Sequence, residues 1–290
     1  MGVGMRLLAI ALLGSMGALA KVSQMRGSNL AEIVFFRQAF SLPLIVALIA
    51  AGPGLASVRT TRLGAHATRT AYGILGIMFS FGALLLLPLA EATTLQFTAP
   101  IFATILGAVM LREPTGWHRW AAVLAGFAGV LIVAQPGSGH ISLLGAAVGL
   151  AGAFMVGVIS IQLRQMGRTE SVGSTVFWFA TLSLPPLGLF YLFNLQGHDW
   201  IGWALLAGIG LLGGGGQLAL TSSLRYAPVS TVVPMDYSSL IWATLYGWLF
   251  FDVLPTEATW IGAPVIVASG LYIVFREHRR RQDKVLIPDL

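Results

Sequence analysis

The chain has 290 residues, 56% of them apolar and only 10% charged, against roughly 25% charged in a soluble globular protein. So few charges cannot clothe a water-exposed surface, and a mean hydropathy of +0.82 makes lipid the solvent. The lack of cysteine excludes a disulfide framework and a thiolate metal site, and the formal charge of +6 acquires meaning only from where the basic residues fall.

A helix needs about 20 apolar residues to cross a bilayer. Such stretches predict spans at 6–24, 31–50, 71–89, 93–111, 119–135, 142–163, 172–194, 200–221, 229–250 and 259–275. The first begins with Arg6 and Leu7–Leu13 and carries Ala18-Leu19-Ala20, a pattern shared with a secretory signal. The repeat described below requires a helix there, which favours a retained span. Lys21 lies near its outer end, Glu32 opens the second span, and Arg37 lies about six residues inside it, roughly 9 Å deep at 1.5 Å per residue. The fourth span carries Thr93, Thr94 and Gln96, the sixth Ser160 and Gln162, and the seventh Trp178. Gly213–Gly216 and Gln217 lie in the eighth, and Pro234, Asp236 and Tyr237 in the ninth. Ten spans leave almost nothing for an extramembrane domain, so recognition must occur within the membrane.

With the N-terminus cytoplasmic, the cytoplasmic segments hold fourteen of the seventeen Lys and Arg residues: Arg6, Arg59, Arg62, Arg69, Arg112, Arg119, Arg164, Arg168, Arg225, Arg276, Arg279, Arg280, Arg281 and Lys284. That is the positive-inside asymmetry, and it predicts both termini on the cytoplasmic face. It also explains the basic tail as a stretch held at an anionic leaflet, with no nucleic-acid partner. Trp117, Trp120, Trp200, Trp203 and Trp260 fall at span ends, as interfacial belts do.

Val34-Phe35 and Ser41-Leu42-Pro43 recur 142 residues later as Val176-Phe177 and Ser183-Leu184-Pro185. Pro114-Thr115, Gly129 and Ile132-Val133 recur 141 residues later as Pro255-Thr256, Gly270 and Ile273-Val274. Each half therefore has five spans, and an odd number inverts the second half relative to the first. The predicted fold is all-α integral membrane: ten transmembrane helices as two inverted five-helix repeats around a central cavity. The repeats occupy 1–136 and 140–276, followed by a basic cytoplasmic tail at 277–290. Inverted repeats are a mark of secondary transporters, with the site near the midplane where the halves meet. A channel or a membrane-embedded enzyme is the alternative. Against an enzyme, His66, His118, His140, His198 and His278 all fall in loops or at span ends, and neither HExxH, GxSxG nor a phosphate-binding GxxxxGK motif occurs. Gly213–Gly216 reads as close packing or a helix break.

Glu32-Ile33-Val34-Phe35-Phe36-Arg37, Leu87-Pro88-Leu89-Ala90, Phe97-Thr98-Ala99-Pro100-Ile101-Phe102, Leu111-Arg112-Glu113 and Gly126–Val133 resemble the drug/metabolite transporter superfamily, in particular its EamA family. Tyr226-Ala227-Pro228-Val229 and Gly270–Val274 continue the resemblance through the second half, which departs from it at Ser239 and Phe251-Asp252. The resemblance implies a multi-pass metabolite transporter of the bacterial inner membrane. The first-half wording is most similar to the branch with S-adenosylmethionine and riboflavin carriers; amino-acid and drug exporters share the fold.

Ionisable groups inside spans are costly, so each is a site candidate. Arg37 suits a substrate carboxylate or phosphate, or a structural ion pair; its repeat counterpart is Phe179. Lys21 either snorkels to the interface or pairs with Glu32. Asp236, after Pro234, is a candidate for proton coupling, an ion pair or a turn residue. Gln96 and Gln217 are candidates for hydrogen bonds to cargo, and Trp178 and Tyr237 for cavity walls. The expected mechanism is alternating access with bending at Pro43, Pro100, Pro185, Pro234 and Gly213–Gly216, driven by protons or an exchange substrate. The expected partners are the bilayer and a small zwitterionic or anionic cargo with a planar part, without metal or cofactor. The Gly- and Ala-rich edges fit a monomer or a homodimer.

Overall fold

Backbone polar groups in lipid must be satisfied within the chain, which leaves the helix as the only option for these apolar runs. The computed structural model, which describes residues 2–110, 116–135, 142–167, 169–226 and 233–286, is built from helices. They are α1 (Gly2–Met25), α2 (Leu30–Ala51), α3 (Leu63–Leu86), α4 (Leu89–Gln96), α5 (Ala99–Met110), α6 (Trp117–Ala134), α7 (Leu143–Met166), α8 (Val172–Leu192), α9 (Trp200–Tyr226), α10 (Ser239–Phe251) and α11 (Glu257–Leu286), with 3₁₀ turns at Leu55–Val58 and Val233–Ser238.

Among the described residues, eight helices are long and apolar enough to cross a membrane, the segment Leu89–Val109 counting as one. The segments expected at 119–135 and 229–250 do not reach that length as continuous apolar helices: α6 contributes the shorter apolar stretch Trp120–Ala134, and α10 has 13 residues. The start of the ninth expected span, with Ala227-Pro228-Val229, lies outside the described residues, as do Arg112, Glu113, Pro114-Thr115, His140 and Arg168.

The bending points need correction. Pro43 and Pro185 lie inside unbroken α2 and α8, and Gly213–Gly216 lies inside unbroken α9. The glycines serve packing: a Cβ at Gly214 would stand 3.1 Å from Ser41 on α2, and one at Gly216 would stand 2.8 Å from Leu13 on α1. Pro100 and Pro234 do coincide with interruptions. Between α4 and α5, Phe97 and Thr98 donate to Thr94 and Leu95 in tight i→i−3 bonds, next to a proline that cannot donate to the helical ladder. Two other boundaries shift as well. α3 begins at Leu63 instead of 71, and α11 runs on through the expected tail to Leu286.

α9 packs on α1 and α2, α3 on α7, and α6 on α11. The last crossing brings backbones together: a Cβ at Gly262 would lie 2.7 Å from the Gly129 carbonyl oxygen, and Ser269 donates to the Ala122 carbonyl at 2.6 Å. The largest core cluster joins Met16, Ile33, Val34, Phe36, Phe81 and Leu206 from α1, α2, α3 and α9. The five span-end tryptophans are exposed.

Candidate functional site

Arg37 lies within α2, where it is 9% exposed. Its Nη1 donates to Gln38 Oε1 at 2.8 Å, and Gln38 Nε2 donates to Ser183 Oγ on α8 at 2.7 Å. Its Nε is buried with no partner. A Cβ at Gly213 would stand 3.5 Å from Arg37 Cγ, an ordinary contact, and the guanidinium carbon lies 5.8 Å from the Phe81 ring centre. The expected ion-pair alternative has no counterpart among the described residues.

Arg69 occupies the same interior. Because α3 starts early, this residue lies in its second turn, 8% exposed, and not in a cytoplasmic loop. Its guanidinium lies over the Phe179 face, 4.2 Å from the centroid, while Nε and Nη1 have no partner. Gly73, one turn along the same face, makes the space: a Cβ there would collide with both Arg69 Nη1 and Phe179. That Arg–Gly spacing was visible in the sequence, but the polar run before it placed Arg69 in a loop.

The remaining candidates divide between this interior and other places. Gln96 Nε2 donates to Ser80 Oγ at 3.2 Å, beside Gly152 and next in sequence to Phe81. Tyr237 meets Phe97 edge to face at 4.9 Å, its hydroxyl buried without a partner against Gly270. The Gln217 side chain is half-buried and takes part in none of the hydrogen bonds among the described residues. Trp178 lies elsewhere: its indole donates to the Val58 carbonyl at 2.8 Å and its ring adjoins His66.

Of the ion-pair candidates, Asp236 does form one. Asp236 is held by Arg6 through Nε at 2.6 Å and through Nη2, tying α1 to the 3₁₀ turn of the second half. Arg6, expected in a cytoplasmic segment, is itself buried. Lys21 and Glu32 do not pair. Lys21 donates to the carbonyls of Leu84 and Leu87 at the end of α3, where the helix leaves acceptors unused. Glu32 forms a capping box with Asn29 and accepts from the Gln196 amide, and its Oε1 lies 2.9 Å from His198 Nε2.

A second Glu–His pair matches the first. Glu170 Oε2, just before α8, lies 3.1 Å from His66 Nε2 in the first turn of α3. Burial alone would raise the Glu170 pKa, but hydrogen bonds from His66, Thr60 and Ser174 outweigh it and hold the carboxyl below its ordinary range. Asp199 is likewise lowered, first by the Gly202 amide and then by Arg26. Sequence reading passed over both histidines as loop residues, because their partners lie more than a hundred residues away.

The family model of EamA-like transporters matches residues 1–135 and again 143–276. The chain belongs to this family. It is therefore a small-molecule transporter and not an enzyme. Among similar proteins, a riboflavin transporter of Rhizobium johnstonii is 32% identical over 84% of this chain and 79% of its own. A pseudopaline exporter of Pseudomonas aeruginosa is 28% identical over 82% of this chain and 84% of its own. A solved crystal structure aligns with 96% of this EamA chain and 98% of its own with a TM-score of 0.67; at 19% identity the likeness concerns the fold alone.

Proposed function

We propose that the chain is a secondary transporter that moves a small zwitterionic or anionic metabolite with a planar part across a bacterial inner membrane by alternating access. In this reading ten segments cross the bilayer, both termini are cytoplasmic, and the halves are inverted repeats. Reciprocal packing supports the arrangement. The contact of α1 with α9 is answered by α7 with α3, α2 with α9 by α8 with α3, and α5 with α7 by α10 with α1. The fourth segment of the first half is interrupted at Phe97-Thr98, and the described part of its counterpart opens on the 3₁₀ turn Val233–Ser238.

Arg37 carries the assignment: a buried cation with an unpartnered Nε, deep in an apolar helix, is a ready acceptor of a cargo anion. Gln96, Gln217 and Tyr237 are proposed as further cargo contacts, Trp178 as a wall near one entrance, and Asp236 as a coupling group whose protonation would release Arg6. The relatives' names support a small organic cargo.

The test is counterflow in proteoliposomes with flavins, S-adenosylmethionine, amino acids, nucleosides and opine-type chelators. Saturable exchange stimulated by internal cargo, and lost in Arg37→Ala, is the expected result. Linear, unsaturated flux would mean a channel and overturn the mechanism.

A further inference from the structure

The EamA interior holds two guanidinium groups, both over nine-tenths buried, with three unpartnered N–H-bearing nitrogens between them and no carboxylate paired to either among the described residues. Arginine stays charged in proteins, and a buried charge is costly unless something neutralises it. The two groups belong to one region. Arg69 lies over Phe179, and one helical turn further along α8 Ser183 holds Gln38, which holds Arg37. That turn is about 6 Å of helix. Phe179 covers the face of the Arg69 guanidinium and leaves its in-plane donors free, the geometry in which arginine forks onto carboxylate or phosphate oxygens. Gly73 keeps the space around the Arg69 guanidinium clear. Structural arginines are paired, as Arg6 is by Asp236.

We infer that Arg37 and Arg69 together form an anion subsite, and that the cargo carries at least two negative charges, as a phosphate monoester or a dicarboxylate does. A neutral or singly charged zwitterionic cargo would leave one cation uncompensated. The inference rests on the reading of Arg37 as a cargo contact; it adds Arg69 as its partner and fixes the charge of the cargo.

The experiment uses the full chain in lipid-free detergent, so that no headgroup supplies the anion. Thermal unfolding is followed with inorganic phosphate or chloride at equal ionic strength, for wild type, Arg37→Gln, Arg69→Gln and Arg69→Lys. Phosphate should raise the wild-type Tm in a saturable way and chloride should not. Either Gln variant should weaken the phosphate response at least tenfold while raising the anion-free Tm, because an uncompensated charge is gone. Arg69→Lys, which keeps the charge without the fork, should fall between. In proteoliposomes, flavin mononucleotide should exchange at least tenfold better than riboflavin, which shares its ring and lacks only the phosphate. Equal responses to phosphate and chloride, or a lower anion-free Tm in Arg69→Gln, would overturn the proposal. Loss of cargo exchange in the Arg37 variant alone would also remove Arg69 from the site and leave the transporter reading standing. Exchange unaffected in both variants would remove Arg37 too.

Discussion

The Arg6–Asp236 pair predicts an asymmetry between its two single substitutions. The Arg6 side chain is 8% exposed and that of Asp236 36%, so each substitution leaves a different charge behind. In Asp236→Asn the remaining charge is a buried guanidinium whose acceptors, the Asn amide oxygen together with Ser223 Oγ and the Leu220 carbonyl at 3.4 Å, are all neutral. Breaking a buried pair in this way costs about 3–5 kcal/mol. In Arg6→Gln the remaining carboxylate has an open face, and the loss should resemble that of an exposed pair, about 1 kcal/mol. At roughly 2–4 °C per kcal/mol, Asp236→Asn should melt well below Arg6→Gln in detergent thermal unfolding. The double variant should recover most of the loss, since two neutral amides can face each other where a lone charge stood. An Arg6→Gln loss equal to or larger than that of Asp236→Asn, or strictly additive losses, would refute the argument. The same Asp236→Asn protein should lose accumulation driven by a proton gradient while keeping cargo exchange.

Two further outcomes follow from local geometry. Gly262→Val puts a side chain where the α6 and α11 backbones meet 2.7 Å from a would-be Cβ, and should cost about 3 kcal/mol or more through overpacking, read as a lower Tm or a smaller folded fraction on size exclusion. Glu170 has a folded pKa below its ordinary 4.5, so its stabilising contribution is full above about 4.5 and is lost as pH falls through the folded value. Glu170→Gln should therefore flatten that acid limb in a Tm profile from pH 3 to 6; an unchanged limb would remove Glu170 from it.

The burial of Arg37 was legible because a charge in an unbroken apolar run has no bland surroundings to hide in. That of Arg69 was not. The residues before it, from Arg59 to Thr68, are polar enough to read as loop, and α3 starts at Leu63 after Arg62, which makes no side-chain cap to announce it. The interruptions at Pro100 and Pro234 were readable from proline's missing donor, whereas Pro43 and Pro185 show that neighbouring helices can keep such a helix continuous. Gly213–Gly216 left packing and breakage open, and only the proximity of Leu13 and Ser41 decides for packing. Glu32–His198 and Glu170–His66 join residues 166 and 104 positions apart, beyond the reach of any local pattern.

Those two pairs stand at opposite ends of α2, a helix of 22 residues and so about 33 Å long. In each, a glutamate at the entrance to one half's second helix meets a histidine at the entrance to the other half's third. In the alternating-access reading proposed above, opening either end would break a Glu–His contact of the same kind, so that these contacts favour neither open form. When two states are so evenly balanced, each 1.4 kcal/mol of differential binding shifts their ratio about tenfold. A modest difference in cargo concentration across the bilayer is then enough to decide which end opens more often. Net flux would follow that difference, with neither end favoured by its own clasp.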